Sequence, residues 1–338
     1  MEVELTLQCK MVTRIANGRI CLIDGNALLY QAFYGNKADL YNPNGVKVNG
    51  VYTFLRSIIS LLERPCENNA TVGLSDCAKR PRYSGAAVCW DHPSRLIRSN
   101  DFSGYKANRS AMPDELRPQF PLSMQAMATL GVAQFQIPSV EADDLIATVA
   151  KLSSSQDAVA GVDIISPDKD MLQMVNDSHN VTVEHSHTGK VYDESSVVDR
   201  FGVTPGLLPE LFALLGDKVD NLPGVTGVGP KRGALLMQEY GNIDNIIEAC
   251  ANATSGAKLP SPVKLVHSYL NQIPPPPLNL HQAAELNRMK NDVEIPEFLG
   301  CEDVFDVLSF PPLPQTNADF QSSRLYRFVQ EQNFKSMM

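Results

Sequence analysis

The sequence has no long hydrophobic run and no cysteine pattern typical of a disulfide or zinc framework. Its 338 residues contain no stretch near the roughly 20 apolar residues that a membrane-spanning helix needs. The seven cysteines are an odd number and form no C-x-x-C pair, which argues against a disulfide framework and against a structural zinc site. We therefore expect a reducing, intracellular compartment and a chain long enough for one large domain or two smaller ones.

The sequence also lacks an excess of positive charge, since its formal net charge is -9 at pH 7. Acidity of this size ordinarily opposes binding to nucleic acid. Nine of the 38 acids fall in the motifs described below, and the other 29 equal the number of lysines plus arginines. If those nine line a metal site, the remaining basic groups can still form a patch. Net charge therefore leaves a nucleic-acid partner open.

Short apolar strand patterns alternate with helical patterns in the first half of the chain. The strand patterns are "RICLID", "GAAVCWD", "AQFQIP" and "GVDIIS", and helical patterns lie at about 49–63, 114–130 and 141–154. This alternation predicts an α/β fold with a mostly parallel sheet and flanking helices. After about residue 195 the strand pattern stops and successive short helices are predicted.

These patterns predict three parts: an amino-terminal extension at 1–19, an α/β domain at 20–195 and a helical domain at 196–338. The polar, turn-rich stretch 64–85 is predicted to be an exposed insertion in the α/β domain. The extension carries acidic as well as basic residues, so it makes a weak transit peptide and a poor signal peptide.

Nine acids occupy positions at predicted strand ends or helix starts. They are Asp24, Asp91, Glu141, Asp143, Asp144, Asp168, Asp170, Asp217 and Asp220. Helix capping is one interpretation of the "EADD" and "DKD" clusters. The other is a shared crevice, where carboxylates repel one another unless cations neutralise them. Such oxygen ligands suit Mg²⁺ or Mn²⁺, and two ions about 4 Å apart can stabilise both the attacking and the leaving oxygen of a phosphodiester.

A glycine-rich segment, "PGVTGVGPKRGALL", follows the last acids. Gly224, Gly227 and Gly229 permit backbone conformations closed to other residues and a close approach by a phosphate. The helix after them begins with Lys231 and Arg232 and presents free N–H groups. A plain connection between helices is the alternative, but the order of acid pair, glycines and basic helix start favours a sequence-independent contact with a nucleic-acid backbone.

With these motifs the chain resembles the 5′-nucleases, which include flap endonucleases and the 5′-3′ exonuclease domain of bacterial DNA polymerase I. The resemblance covers nearly the whole chain from residue 20 and lies in "LIDGNALLYQAFY", "YKANRSAMPDELRPQ", "EADDLIATVAK", "SPDKDMLQMV" and "LLGDKVDNLPGVTGVGPK". It implies an α/β domain with a helical arch at about 100–118 and a helix–three-turn–helix motif at about 212–240. Because the chain ends soon after the resemblance does, we expect a stand-alone protein.

The resemblance also implies which acids hold which metal. It assigns Asp24, Asp91, Glu141 and Asp143 to the first ion, and Asp168, Asp170, Asp217 and Asp220 to the second, with Asp144 adjoining the cluster. It further implies a monovalent cation, K⁺, on the carbonyls of the glycine loop, which would hold duplex downstream of the cut.

Four other side chains match functional positions of the family. Tyr30 matches an aromatic that stacks near the scissile nucleotide, although ordinary helix packing is the alternative. Lys106 matches a lysine over the scissile phosphate, and Arg98 and Arg109 match basic residues at the arch and its base; a solvated basic helix is the alternative for these three. "WDHP" replaces the usual "FDAK", and His92 is either an added ligand or a solvent-facing or packing residue.

We therefore expect a divalent-metal-dependent, structure-specific 5′-3′ exonuclease and flap endonuclease for flap or primer removal in replication and repair. Hydrolysis would leave 5′-phosphate and 3′-hydroxyl ends. The expected partner is double-stranded DNA with a 5′ flap, nick or 5′ end, RNA-primed ends included. We expect a monomer working beside a separate DNA polymerase, in the cytoplasm if bacterial and in a mitochondrion or plastid if eukaryotic. The alternatives are a non-catalytic DNA-junction binder and a ribonuclease.

Overall fold

A six-stranded sheet with the order β3-β2-β1-β4-β5-β6 organises the chain. The structure, a computed structural model, describes residues 18–66, 81–94, 98–252 and 260–337. The strands are β1 (Arg19–Asp24), β2 (Tyr83–Cys89), β3 (Ala133–Phe135), β4 (Gly161–Ile165), β5 (Val181–Glu184) and β6 (Val191–Tyr192). All neighbouring pairs are parallel except β5 with β6. The predicted mostly parallel sheet is confirmed.

Fourteen α-helices lie in the described residues. They are α1 (Gly25–Gly35), α2 (Asn49–Leu62), α3 (Arg98–Asp101), α4 (Gln119–Leu130), α5 (Ala142–Ser154), α6 (Glu194–Phe201), α7 (Leu208–Leu215), α8 (Pro230–Tyr240), α9 (Ile243–Ala251), α10 (Ser261–Leu270), α11 (Leu280–Asn287), α12 (Phe305–Leu308), α13 (Asn317–Ser322) and α14 (Arg324–Glu331). A 3₁₀ helix spans Lys169–Met174. No described helix is both long enough and apolar enough to span a membrane.

The central strand β1 is buried on both faces, which explains its unbroken apolar sequence. Ile20 and Leu22 belong to one core cluster, formed with α5 and with helices of the second half. Cys21 and Ile23 point to the other face, into a core formed mainly with α1, α2 and α4. The alternation of these side chains therefore joins the sheet to helices on both sides.

The second half of the chain is helical up to α11, and α7 packs against α11. After residue 300 the chain returns to the sheet: α12 contacts β2 and α14 packs on α4. Leu325, Phe328 and Val329 of α14 are buried in the same core as α1 and α2. The final helices thus help to cover the α/β half, and the boundaries 20–195 and 196–338 stay predictions.

Two expected segments differ in detail. The helical pattern at 114–130 begins as a helix only at Gln119, because the proline at 118 disfavours helical backbone in the residue before it. The arch segment at about 100–118 holds the end of the four-residue α3 and then mostly turns. Residues 67–80 of the predicted insertion, and 1–17 of the extension, lie outside the described residues.

Candidate active site

Three acids stand at the carboxyl ends of adjacent strands. Asp24 ends β1, Asp91 follows β2 by two residues, and Asp168 follows β4 by three. Because β2, β1 and β4 are neighbours in the sheet, the three carboxylates face one crevice. Burial, together with the negative charges of Asp91 and Asp168, raises the pKa of Asp24 to about 7.

The start of α5 brings further acids to the same crevice. Glu141 is the N-cap residue of α5, and Asp143 lies in its first turn. Asp91 is tied to this helix start, since its carboxylate accepts a hydrogen bond of 2.8 Å from the backbone N–H of Ala142. Burial and the charges of Asp24 and Asp168 raise the pKa of Asp143 well above its usual value. The helix start therefore adds negative charge to the group at the strand ends.

The carboxylate of Asp24 also accepts hydrogen bonds that stabilise the fold. One carboxylate oxygen accepts the N–H of Ala27 at 2.9 Å and so caps α1. The other accepts the hydroxyl of Ser166 at 2.8 Å, and the same hydroxyl oxygen accepts the N–H of Asp168 at 3.1 Å. Ser166 thus links the ends of β1 and β4 and fixes the separation of two of the acids.

Glu141 is held by two cations. Arg98 and Lys106 both donate to its carboxylate, and the hydroxyl of Tyr105 donates at 3.3 Å. Glu141 is almost fully buried, with 3% of its surface exposed. Burial would raise its pKa, but the charges of Lys106 and Arg98 outweigh that effect and lower it. In this structure Glu141 is therefore an ionised, internally neutralised carboxylate.

The carboxylate of Asp144 forms a bidentate ion pair with Arg98. The two guanidinium nitrogens of Arg98 donate to its two oxygens at 2.8 and 2.7 Å. Asp144 also accepts the backbone N–H of Lys290 at 2.8 Å, and Arg98 donates to the carbonyl of Arg288 at 2.8 Å. The bidentate pair thus fastens the segment after α11 to the start of α5.

The second group of acids spans both halves of the chain. Asp170 lies in the first turn of the 3₁₀ helix, and Asp217 lies in the turn after α7. The ammonium of Lys169 donates to Asp170 at 2.8 Å and to Asp217 at 2.7 Å. Burial and the charge of Asp168 raise the pKa of Asp170 to about 6, against the opposing charge of Lys169.

Asp220 is bonded to the arch segment. Arg109 donates to its carboxylate at 2.7 Å, and its carbonyl accepts the backbone N–H of Lys106 at 3.0 Å. Lys106 itself has a positive φ of 57°, a strained conformation for a residue with a side chain. The turn that carries Asp220 therefore sets the position of Lys106 over the crevice.

The donor set suits a hard divalent cation. It consists of carboxylate oxygens. The charges of Asp91 and Asp168 raise the pKa of Asp24, and those of Asp24 and Asp168 raise the pKa of Asp143, as expected where a cation belongs. In the described part of the chain, no three His, Cys, Asp or Glu side chains already converge on one point. Mg²⁺ binds through one or two carboxylates and keeps several waters, so an oxygen-only crevice of this kind fits it.

Two aromatic or imidazole candidates border the crevice. Tyr30 on α1 is half-buried, with ring centroids 6.4 Å from Tyr34 and 6.1 Å from Phe120. Burial, followed by the nearby Tyr34 and Asp91, raises the pKa of Tyr30. His92 makes a contact of 2.9 Å with the hydroxyl of Ser94, a packing role that the sequence left open.

The three loop positions differ in how strictly the structure requires a glycine. A Cβ on Gly224 would lie 2.3 Å from the backbone of residues 215 and 216, so that glycine allows two backbone segments to pack. Gly227 has a φ of +85°, which other residues rarely adopt. A Cβ on Gly229 would meet nothing within 4 Å. Only at Gly229 is the surrounding space open for a bound phosphate.

Two cations follow this loop at the start of α8, and both are exposed. Arg232 donates to the carbonyl of Gly227 at 2.7 Å and thereby braces the loop from inside. Lys231 precedes it in the first turn. Because Val225 donates its N–H to the carbonyl of Leu214 at 2.8 Å, the loop is fastened to α7 beside the turn that carries Asp217. The loop is therefore tied to the same helix end that carries Asp217.

Two family models match consecutive parts of the chain. One is the 5′-3′ exonuclease N-terminal resolvase-like domain, over residues 19–202, and the other is the 5′-3′ exonuclease C-terminal SAM fold, over residues 203–299. The chain belongs to the 5′-3′ exonuclease family. The predicted family, the predicted fold class and the predicted hydrolytic nuclease activity are confirmed.

Individual relatives agree with this placement. A 5′-3′ exonuclease of Bacillus subtilis (strain 168) is 36% identical over 237 residues, which are 69% of this chain and 74% of that protein. DNA polymerase I of Lactococcus lactis subsp. cremoris is 33% identical over 237 residues, which are 68% of this chain and 25% of the polymerase. The solved T5 5′-exonuclease with bound zinc has a TM-score of 0.58 at 19% identity, covering 94% of this chain and 98% of the T5 chain.

Proposed function

We propose that the chain cuts DNA as a structure-specific 5′-3′ exonuclease and flap endonuclease, in the crevice at the ends of β1, β2 and β4. The observation that carries this proposal is the group of carboxylates that the ends of β1, β2 and β4 and the start of α5 bring to one crevice, with Asp24 and Glu141 buried. Such a cluster is costly unless it serves to bind cations. Membership of the exonuclease family supplies the reaction for which those cations are needed.

The metal assignment is part of the proposal. The first ion would be held by Asp24, Asp91, Glu141 and Asp143, and the second by Asp168, Asp170, Asp217 and Asp220. Mg²⁺ is the proposed ion, with Mn²⁺ able to replace it, because all the donors are carboxylate oxygens. When bound, two such ions supply an activated water and stabilise the leaving oxygen of the phosphodiester. The metal-bound T5 structures support divalent-metal dependence.

The basic side chains have two proposed roles, which are contact with the DNA and positioning of Glu141. Lys106 and Arg109 would contact the scissile phosphate and its neighbour, since both lie on the arch segment and both are tied to the turn of Asp220. Arg98 would act through Glu141: it is buried on Asp144, with 6% of its surface exposed, and holds Glu141 in place. Tyr30 would stack on the terminal unpaired base beside Asp91.

The glycine loop is proposed to hold duplex DNA. Gly229 offers the open backbone, Lys231 the charge, and Gly224 and Gly227 the geometry of the turn. K⁺ on the loop carbonyls stays a proposal, and Arg232 already occupies the carbonyl of Gly227. The contact would be with phosphates and therefore independent of sequence, with an affinity that falls steeply with salt.

The proposed substrates are double-stranded DNA ends with a 5′ flap, a nick or a 5′ end, including RNA-primed ends. A T5 flap endonuclease in a complex with DNA and metal ions, and the catalytic core of Rad2 with a DNA substrate, share the fold and support a DNA substrate. We further propose an intracellular monomer that works in replication and repair beside a separate DNA polymerase. Its compartment would be the cytoplasm in a bacterium, or a mitochondrion or plastid in a eukaryote.

The test is cleavage by a matched pair of charge-neutralising variants. Asp170→Asn removes a carboxylate of the crevice, and Asp199→Asn removes one exposed carboxylate on α6. With Mg²⁺ and end-labelled substrates, we expect Asp170→Asn to lose cleavage by at least about 100-fold while retaining DNA binding. Asp199→Asn should cut like the wild type. DNA flaps compared with RNA-primed flaps give the substrate range, and binding without cleavage by the wild type would indicate a junction-binding protein instead.

A further inference from the structure

Four cations of the protein itself form ion pairs with some of the crevice acids. Lys106 and Arg98 contact Glu141, Arg109 contacts Asp220, and Lys169 contacts Asp170 and Asp217. Three of these were recognised in the sequence, but Lys169 was not. Unlike the other three cations, Lys169 lies between two candidate ligands of the second ion, Asp170 and Asp217.

Lys169 alone among the described cations of the crevice bridges acids from the two halves of the chain. Asp170 and Asp217 are 47 residues apart, one on the 3₁₀ helix after β4 and the other on the turn after α7. Arg98 also contacts two carboxylates, but both belong to the start of α5. An ammonium at 2.8 and 2.7 Å from two carboxylate oxygens occupies the space in which a cation shared by those oxygens must lie.

Lys169 is partly exposed to solvent. Its side chain is 38% exposed, against 46% for Arg109, 14% for Lys106 and 7% for Arg98. Its ammonium lies 4.7 Å from the ring centre of Phe212 on α7, which is close enough for a cation–π contact. Because more than a third of the side chain already meets solvent, the ammonium can move into water without unpacking the core.

We propose that Lys169 is a positioning residue for the second metal ion: its ammonium holds Asp170 and Asp217 together in the metal-free protein and leaves when a divalent cation binds between them. The inference rests on the proposed function, since it takes these two acids as metal ligands. Two consequences follow. Without metal, Lys169 fastens the helical half to the α/β half. With metal, it is a competitor that weakens binding at the second position.

The test measures Mn²⁺ binding directly, by the electron paramagnetic resonance signal of free Mn²⁺ during titration of the full chain without DNA. Lys169→Met keeps most of the stem over Phe212 and removes the charge. Lys190→Met is the matched control, because Lys190 also lies over an aromatic ring, 4.6 Å from the ring centre of Tyr192, and is exposed. We expect Lys169→Met to bind its weaker Mn²⁺ about tenfold more tightly and the control to bind as the wild type does.

A second measurement distinguishes displacement of the Lys169 ammonium by metal from a purely structural role of that ion pair. In EDTA, Lys169→Met should melt at a lower temperature than the wild type, because two carboxylates then face each other unpaired, and Mn²⁺ should restore the loss. Should Lys169→Met fold only with metal, the Mn²⁺ concentration at half-maximal thermal stabilisation replaces the titration and must lie below the wild-type value. Lys169→Arg, which keeps the charge, should bind Mn²⁺ no more tightly than the wild type.

The outcomes distinguish this inference from the proposed function. Unchanged or weaker Mn²⁺ binding by Lys169→Met overturns the role of Lys169 but leaves the metal site intact. An equal gain in Lys190→Met shows a general charge effect and overturns it too. If the wild type binds no Mn²⁺ at all, the proposed metal site itself is wrong.

Discussion

Arg98 offers the sharpest test of how the crevice is built. We predict that Arg98→Met lowers the free energy of unfolding by about 3–5 kcal/mol, the usual result when one partner of a buried ion pair is removed. The value follows from its contacts: two bonds to Asp144, one to the carbonyl of Arg288 and one to Glu141. Glu141 keeps Lys106 as a partner, but Asp144 is left buried with only a backbone N–H.

The measurement is urea unfolding in EDTA, followed by far-ultraviolet circular dichroism. Lys47→Met is the control, because Lys47 forms an ion pair of 2.9 Å with Glu115, whose side chain is 57% exposed; its loss should cost under about 1 kcal/mol. The double variant Arg98→Met/Asp144→Leu removes both charges and should cost less than the two single changes together, by about 2 kcal/mol.

Two results would refute this reasoning. One is a cost for Arg98→Met no larger than that for Lys47→Met, which would mean that the buried network is not stabilising. The other is strict additivity in the double variant, which would mean that Arg98 and Asp144 act independently. In either case the segment after α11 would not depend on this pair for its attachment.

Three further predictions concern the acids and the loop. In EDTA, Asp24→Asn should reduce the fall in unfolding free energy between pH 4 and pH 7 by up to about 4 kcal/mol. The folded pKa of about 7 exceeds the usual aspartate value of 3.8, so the stability contributed by protonated Asp24 is lost as pH rises. An unchanged pH profile in urea unfolding would contradict this. Gly224→Ala should lower the melting temperature by several degrees, whereas Gly229→Ala, with open space for its Cβ, should melt normally but bind duplex DNA less tightly. Equal melting temperatures for the two variants would argue against the close packing of Gly224 on residues 215 and 216. Lys231→Gln should lower the slope of log affinity against log salt by about 1, and an unchanged slope in fluorescence anisotropy would remove Lys231 from the DNA contact.

The sheet and the position of the acids could be predicted from the sequence because both depend on local patterns. Apolar runs that end in Asp24, Asp91 or Asp168 mark strand ends, and the parallel arrangement brings such ends to one edge. The hairpin of β5 and β6 was not predicted, since the two strands have four and two residues and carry little alternation. Short strands of this kind are defined by their pairing rather than by their own sequence.

The contacts of the acids could not be predicted in the same way. The "DKD" sequence shows a lysine between two aspartates, but only the fold brings Asp217 to that lysine. Nor does the sequence show that Asp144 faces Arg98 and the segment after α11, because that segment lies 146 residues further along the chain. Both contacts depend on tertiary packing between elements far apart in sequence, for which a single chain gives no local signal.

The glycine loop shows the same limit within one motif. Its composition correctly indicates a tight backbone but does not distinguish Gly224, Gly227 and Gly229 from one another. Packing against residues 215 and 216 accounts for the first, and backbone conformation for the second. The third has no structural need to be glycine, which makes it the best candidate for contact with a ligand.

We predict that two divalent cations bound in one carboxylate crevice are needed to cut DNA beside a flap. The most direct measurement is the single-turnover rate of cleavage of an end-labelled double-flap DNA as Mg²⁺ is raised from an EDTA-chelated start. We predict no product in EDTA, a cut at or one nucleotide inside the junction, and a rate that rises with nearly the square of a subsaturating Mg²⁺ concentration. Cleavage that persists in EDTA, or a rate that rises only with the first power throughout, would contradict the two-cation account.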